Sequence, residues 1–87
     1  MKHRVHMTKG RIRKEFSERL GALRKTRGMI SDKLAAEIGV KGGTYRRWER
    51  GEVQPPMEAL YEIQRATGCS LNWLICDLGT AYAPETQ

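Results

Sequence analysis

SDKLAAEIGVKGGTYRRWER, residues 31–50, decides how this chain is read. Apolar residues recur at helical spacing on both sides of Gly39-Val40-Lys41: Leu34 and Ile38 before it, Tyr45 and Trp48 after it. This spacing predicts two short helices, 31–38 and 42–50, joined by a three-residue turn. Ala35 stands where the helices would cross, and a larger side chain there would push them apart. Gly39 stands in the turn, where it can adopt a positive φ that a β-carbon resists. Leu34, Ile38, Val40, Tyr45 and Trp48 would be the apolar contacts between the pair.

The second of these helices has two chemically distinct flanks. At about 100° per residue, Tyr45, Trp48 and Glu49 cluster on one side, while Gly43, Arg46, Arg47 and Arg50 cluster on the other. One flank packs and the other is glycine and arginine. The major groove of DNA accepts an α-helix, and an arginine fork matches guanine O6 and N7 or two phosphate oxygens. In chemical terms this is a recognition helix within a helix-turn-helix. The blander alternative for Arg46 and Arg47 is two solvated arginines on an exposed face.

Further out, Phe16, Leu20 and Leu23 form an earlier helical stripe, and Leu60 and Ile63 a later one. Gly28, Gly39, Gly51 with Pro55 and Pro56, and Gly68 separate the stripes. Five helices are expected, at 13–27, 31–38, 42–50, 56–67 and 71–76, and no segment alternates with period two, so the fold class is all-α. Ile12, four residues before Phe16, leaves an earlier start near Thr8 open. Ser31 or Ser70 can cap a helix, and Pro56 suits a first helical turn. The last helix is short and needs tertiary support. The expected organisation is a basic N-terminal arm at 1–12, a folded unit at 13–78 and a loose tail at 79–87.

Eighty-seven residues suit one small domain and are too few for a second folded unit or a dedicated cofactor fold. The formal net charge of +6 is unevenly placed: six basic residues and no acid precede position 15, and ten bases balance ten acids after it. Within the body, 41–50 is basic while 55–87 carries Arg65 against four acids. Such asymmetry suits a polyanion lying across one side. Neither a membrane span nor a signal peptide is evident, which points to the cytoplasm. Cys69 and Cys76 are too sparse for a disulfide framework and read as apolar fillers, as do Met29 and Met57. His3 and His6 lack a third ligand, so neither a metal nor a cofactor is expected. Catalytic constellations are missing as well, which argues against an enzyme.

FSERLGALRKTRGM, LAAEIGV, TYRRWERG, PPMEAL and GCSLNWLI, in that order across residues 15–78, resemble the Cro/phage-repressor-type helix-turn-helix family, also called the xenobiotic-response-element family. The resemblance implies a compact five-helix, lambda-repressor-like DNA-binding domain. It further implies a dimer on a palindromic operator and a repressor of bacterial or phage origin. It places Lys41, Gly42, Gly43, Arg46 and Arg47 at base-contacting positions of the recognition helix. Ser31, Thr44, Arg50 and Gln54 fall at phosphate-contacting positions, and the loop 51–56 matches a segment that approaches phosphate through backbone amides. Arg24 and Glu49 fall on a structural ion pair between the first and third helices, in agreement with the inward turn of Glu49 on the helical wheel.

Gly42 and Gly43 depart from the family, which commonly has polar base-reading side chains there. Either the glycines admit the backbone close to DNA, or specificity has moved to Lys41, Arg46, Arg47 and the arm, the reading favoured here; a protein that reads little sequence is the third alternative. Arm residues Arg4, Lys9, Arg11 and Arg13 are candidates for a minor-groove contact. Leu71, Trp73, Leu74 and Ile75 give the last helix more apolar surface than a small monomer needs, which makes Leu71, Trp73 and Leu74 candidate dimer contacts; the alternative is that Trp73 and Leu74 close the bottom of the core. At this length no separate C-terminal sensing domain is expected. An antitoxin, which binds a toxin partner as well as its own promoter, is the rival function. Its partner surface would be the acidic 55–87 face or the tail.

Overall fold

A computed structural model describes the backbone of residues 9–82 and the side chains of residues 13–82. Five helices follow one another: α1 Lys9–Thr26, α2 Ser31–Ile38, α3 Gly42–Glu49, α4 Met57–Thr67 and α5 Leu71–Cys76. No strand occurs among the described residues. Helix α1 begins at Lys9, four residues before the expected 13, so the stretch assigned to a separate arm is partly helical backbone. Arg4, His3, His6 and the tail 83–87 lie outside the described residues, as do the side chains of Lys9 and Arg11.

Phe16, Leu20 and Leu23 of α1, Leu34, Ala35 and Ile38 of α2, Tyr45 and Trp48 of α3, Ala59 and Ile63 of α4, Cys69 and Leu74 form one buried cluster. Helix α1 packs against α3 and α5, and α2 against α3 and α4, so α3 is held between two neighbours. Tyr45 and Trp48 meet edge to face at 6.1 Å between ring centroids, a favourable aromatic geometry. Gly39 ends α2 in the left-handed region, with φ 92°, and its N–H returns to the Ala35 carbonyl at 2.9 Å. A residue with a β-carbon would be strained there, and the sharp reversal into α3 depends on it.

Several helix ends differ from expectation. Ile30, not Ser31, precedes the first turn of α2, and its carbonyl accepts from the N–H groups of Lys33 and Leu34. Pro56 precedes α4 in the same way, so Met57 is the first helical residue. Ser70 does cap α5, accepting from the Trp73 N–H at 3.3 Å. The six-residue α5 gains its tertiary support from Arg19, whose guanidinium donates to the carbonyls of Leu74 at 2.9 Å and Ile75 at 3.2 Å. Arg27 likewise donates to the Thr67 carbonyl at the end of α4, at 3.1 Å. Cations at carbonyl-rich helix ends meet both the orphan acceptors and the macrodipole.

Two filler assignments fail. Met57 is 80% exposed because it opens α4 on the outer side, and Cys76 is exposed at the end of α5. Cys69 is buried, and burial raises its thiol pKa above the ordinary value. No described helix is long and apolar enough to cross a membrane. No group of three or more potential metal ligands occurs among the described residues.

Candidate nucleic-acid interface

Helix α3 is fixed from behind by charge as well as by its aromatic flank. Arg24 of α1 donates to Glu49 through two bonds, Nε to Oε2 at 2.6 Å and Nη2 to Oε1 at 3.1 Å, and a third bond joins Nη1 to the Met29 carbonyl at 2.9 Å. The Tyr45 hydroxyl donates to the same Glu49 oxygen, Oε2. Burial, and then this bond to a carboxylate, push the Tyr45 phenol above its ordinary pKa. The bond to Glu49 likewise raises Arg24. Gly21 of α1 lies beside the pair, and a β-carbon there would stand 3.4 Å from Glu49 Oε1.

With Tyr45 and Trp48 buried, the opposite flank of α3 faces outward. Gly43, Thr44, Arg46 and Arg47 are exposed there, and Lys41 is exposed at its N-terminal end. The cations differ in their partners. Arg46 Nη1 is 2.6 Å from Asp32 Oδ1 of α2 and 3.5 Å from Ser31 Oγ. Arg50 donates to Glu52 at 2.8 and 3.4 Å, which holds the Glu52 carboxyl below the usual range. Lys41 and Arg47 make no ion pair within 4 Å among the described residues.

The loop after α3 lies beside α1, because Arg13 Nη1 donates to the Glu52 carbonyl at 3.2 Å. Arg13 is therefore next to the recognition helix, in contact with its trailing loop. Gln54 is exposed and lines a shallow apolar hollow with Arg13, Phe16, Pro55, Leu60 and Ile75. Ser31 is half-buried at the start of α2, with its hydroxyl turned toward Arg46.

Among the residues singled out for a dimer contact, Leu74 is withdrawn: it is 0% exposed and belongs to the core of its own chain. Leu71 and Trp73 are half-buried against that core. Ile75, part of the expected apolar surface, is exposed, and Leu78, which was not expected there, is exposed close to it in sequence. Two acids beside the cations, Asp32 and Glu52, were not among the expected site residues. The Glu52 contact was within reach of sequence, since it is two residues from Arg50. Asp32 is fourteen residues from Arg46, and their meeting depends on the angle between two helices.

Residues 20–74 match the helix-turn-helix family. Among solved structures, the chain is similar to the P22 c2 repressor protein, crystallised in complex with synthetic operator 9T in the presence of Tl+. The identity is 32% and the TM-score 0.65, covering 69% of this chain and 91% of that one. No curated protein sequence matches the chain significantly.

Proposed function

Because the chain belongs to the Cro/phage-repressor-type helix-turn-helix family, we propose that this DNA-binding transcriptional regulator is a sequence-specific repressor acting as a homodimer. Its two α3 helices would enter successive major grooves on one face of a palindromic operator, about 34 Å apart. One observation carries this reading: Lys41 and Arg47 stand exposed on the flank of α3 opposite buried Tyr45 and Trp48, and neither makes an ion pair within 4 Å among the described residues. Arg47 and Lys41 would approach base edges, while Thr44 at the start of α3 and Arg50, Gln54 and Arg13 near its trailing loop would meet phosphates. Phosphate neutralisation would supply much of the affinity and make it salt-dependent. Blocking polymerase at an overlapping promoter would then repress transcription.

The dimer would use the exposed Ile75 and Leu78 together with the half-buried Leu71 and Trp73. Selection from a randomised duplex pool, with sedimentation of the free protein, tests the whole reading. Two half-sites in inverted order and a dimer at micromolar concentration are expected. Recovery of unrelated sequences, or a single unrepeated half-site, would refute it.

The antitoxin reading is favoured by one feature of α4. Met57 and Tyr61, one turn apart, are 80% and 58% exposed beside Glu58 and Glu62, an apolar and acidic surface on the 55–87 side. Stoichiometric co-purification of a small enzyme, lost on Met57→Asp, would decide for it.

A further inference from the structure

The ion pair between Asp32 and Arg46 stands at the front of α3 and crosses bare backbone. Asp32 is 68% and Arg46 47% exposed, so the pair adds little to stability. Its placement is nevertheless restricted. A β-carbon at Gly42 would collide with Asp32 Oδ1 and stand 3.1 Å from Arg46 Nη1, whereas one at Gly43 would meet nothing within 4 Å. Gly42 therefore opens the passage through which a carboxylate of α2 reaches an arginine of α3. Asp32 takes Nη1 alone, and the Nε and Nη2 edge has no hydrogen-bond partner among the described residues. That edge carries two parallel donors, the pattern that matches guanine O6 and N7.

We propose that Asp32 is a positioning and specificity-determining residue: it holds Arg46 by Nη1 across Gly42 so that the Nε and Nη2 fork is presented to a base edge. Its own charge repels a phosphate from the same place, which keeps Arg46 from being used for backbone neutralisation. Without Asp32, Arg46 becomes a mobile cation that any phosphate can recruit. This inference rests on the DNA-binding function proposed above and adds to it a reason for glycine at position 42.

The test compares wild type, Asp32→Ala, Gly42→Ala and the double variant. Each is titrated with the duplex selected from a randomised pool and with a scrambled duplex of equal length. Asp32→Ala is expected to tighten binding to the scrambled duplex, to steepen the plot of log affinity against log salt by about 1, and to flatten preference at one base pair of each half-site by about tenfold. Gly42→Ala should reproduce the loss of preference and add nothing in the Asp32→Ala background. In the free protein, side-chain ¹⁵N spectra should show an Arg46 guanidinium held in slow rotation in wild type and released in both single variants.

Unchanged base preference in Asp32→Ala, or additive effects of the two substitutions, would overturn the inference while leaving DNA recognition intact. A wild type that selects no sequence would remove both.

Discussion

Glu49 is the group whose loss should weaken the domain most for a single polar side chain. Glu49→Ala removes two bonds from Arg24 and the acceptor of the Tyr45 hydroxyl at once. The Arg24 and Glu49 side chains are 18% and 17% exposed, between the buried limit, where breaking a pair costs about 3–5 kcal/mol, and the exposed limit of about 0–1 kcal/mol. Arg24 keeps its bond to the Met29 carbonyl and some solvent, so about 2 kcal/mol is reasonable for the stranded guanidinium. The fully buried Tyr45 hydroxyl adds about 1 kcal/mol. The expected total of about 3 kcal/mol corresponds to a fall in Tm of roughly 12–24 °C for a domain of this size. Urea denaturation followed by circular dichroism measures it, with Glu18→Ala as the control, since Glu18 pairs with Lys14 in the open at 2.7 Å. A loss below about 1 kcal/mol for Glu49→Ala, close to that control, would refute the view that this cluster anchors α3.

Arg47→Ala should weaken binding and relax preference at one position of each half-site by about 1–3 kcal/mol; an equal loss on every duplex in a competition titration would mean that Arg47 touches phosphate alone. Tyr45, whose folded-state pKa is raised, binds its proton more tightly in the native state, so its contribution is fully present below the ordinary value of 10.0 and is lost as pH rises beyond it. Stability should fall by about 1.4 kcal/mol per pH unit above that point, and Tyr45→Phe should flatten this alkaline limb in equilibrium unfolding, an unaltered limb counting against it. Deleting residues 1–8, which spares the α1 backbone, should reduce the salt slope by up to about 2 through loss of Lys2 and Arg4; an unchanged slope would show that these cations take no part.

Periodicity was enough to place α2 and α3, because Leu34, Ile38, Tyr45 and Trp48 each recur within a helix long enough to have an inside and an outside. For α5 the bounds 71–76 were legible but the buried side was not: six residues make less than two turns, so four large apolar side chains do not reveal which of them faces inward, and Leu74, a candidate dimer contact, lies in the core while Ile75 is exposed. The Arg24–Glu49 contact was legible because the helical wheel already turned Glu49 toward the packed flank and the resemblance named its partner. Asp32 was not, since α2 and α3 each read correctly alone say nothing about the acid of one meeting the guanidinium of the other. Gly42 looked like a missing base-reading residue for the same reason: the space it leaves is defined by a side chain on another helix. Ser31 followed the usual preference for a cap, but the backbone began its helix one residue sooner in register and left the hydroxyl beside Arg46.

The two cysteines, one enclosed and one open, give the molecule a built-in chronometer. An alkylating reagent should consume the exposed Cys76 first, whereas Cys69, enclosed in the core and with its thiolate disfavoured by burial, should wait for the protein to open. The delay between the first and second mass increments reports the opening equilibrium of the native domain, without denaturant and at any concentration of DNA.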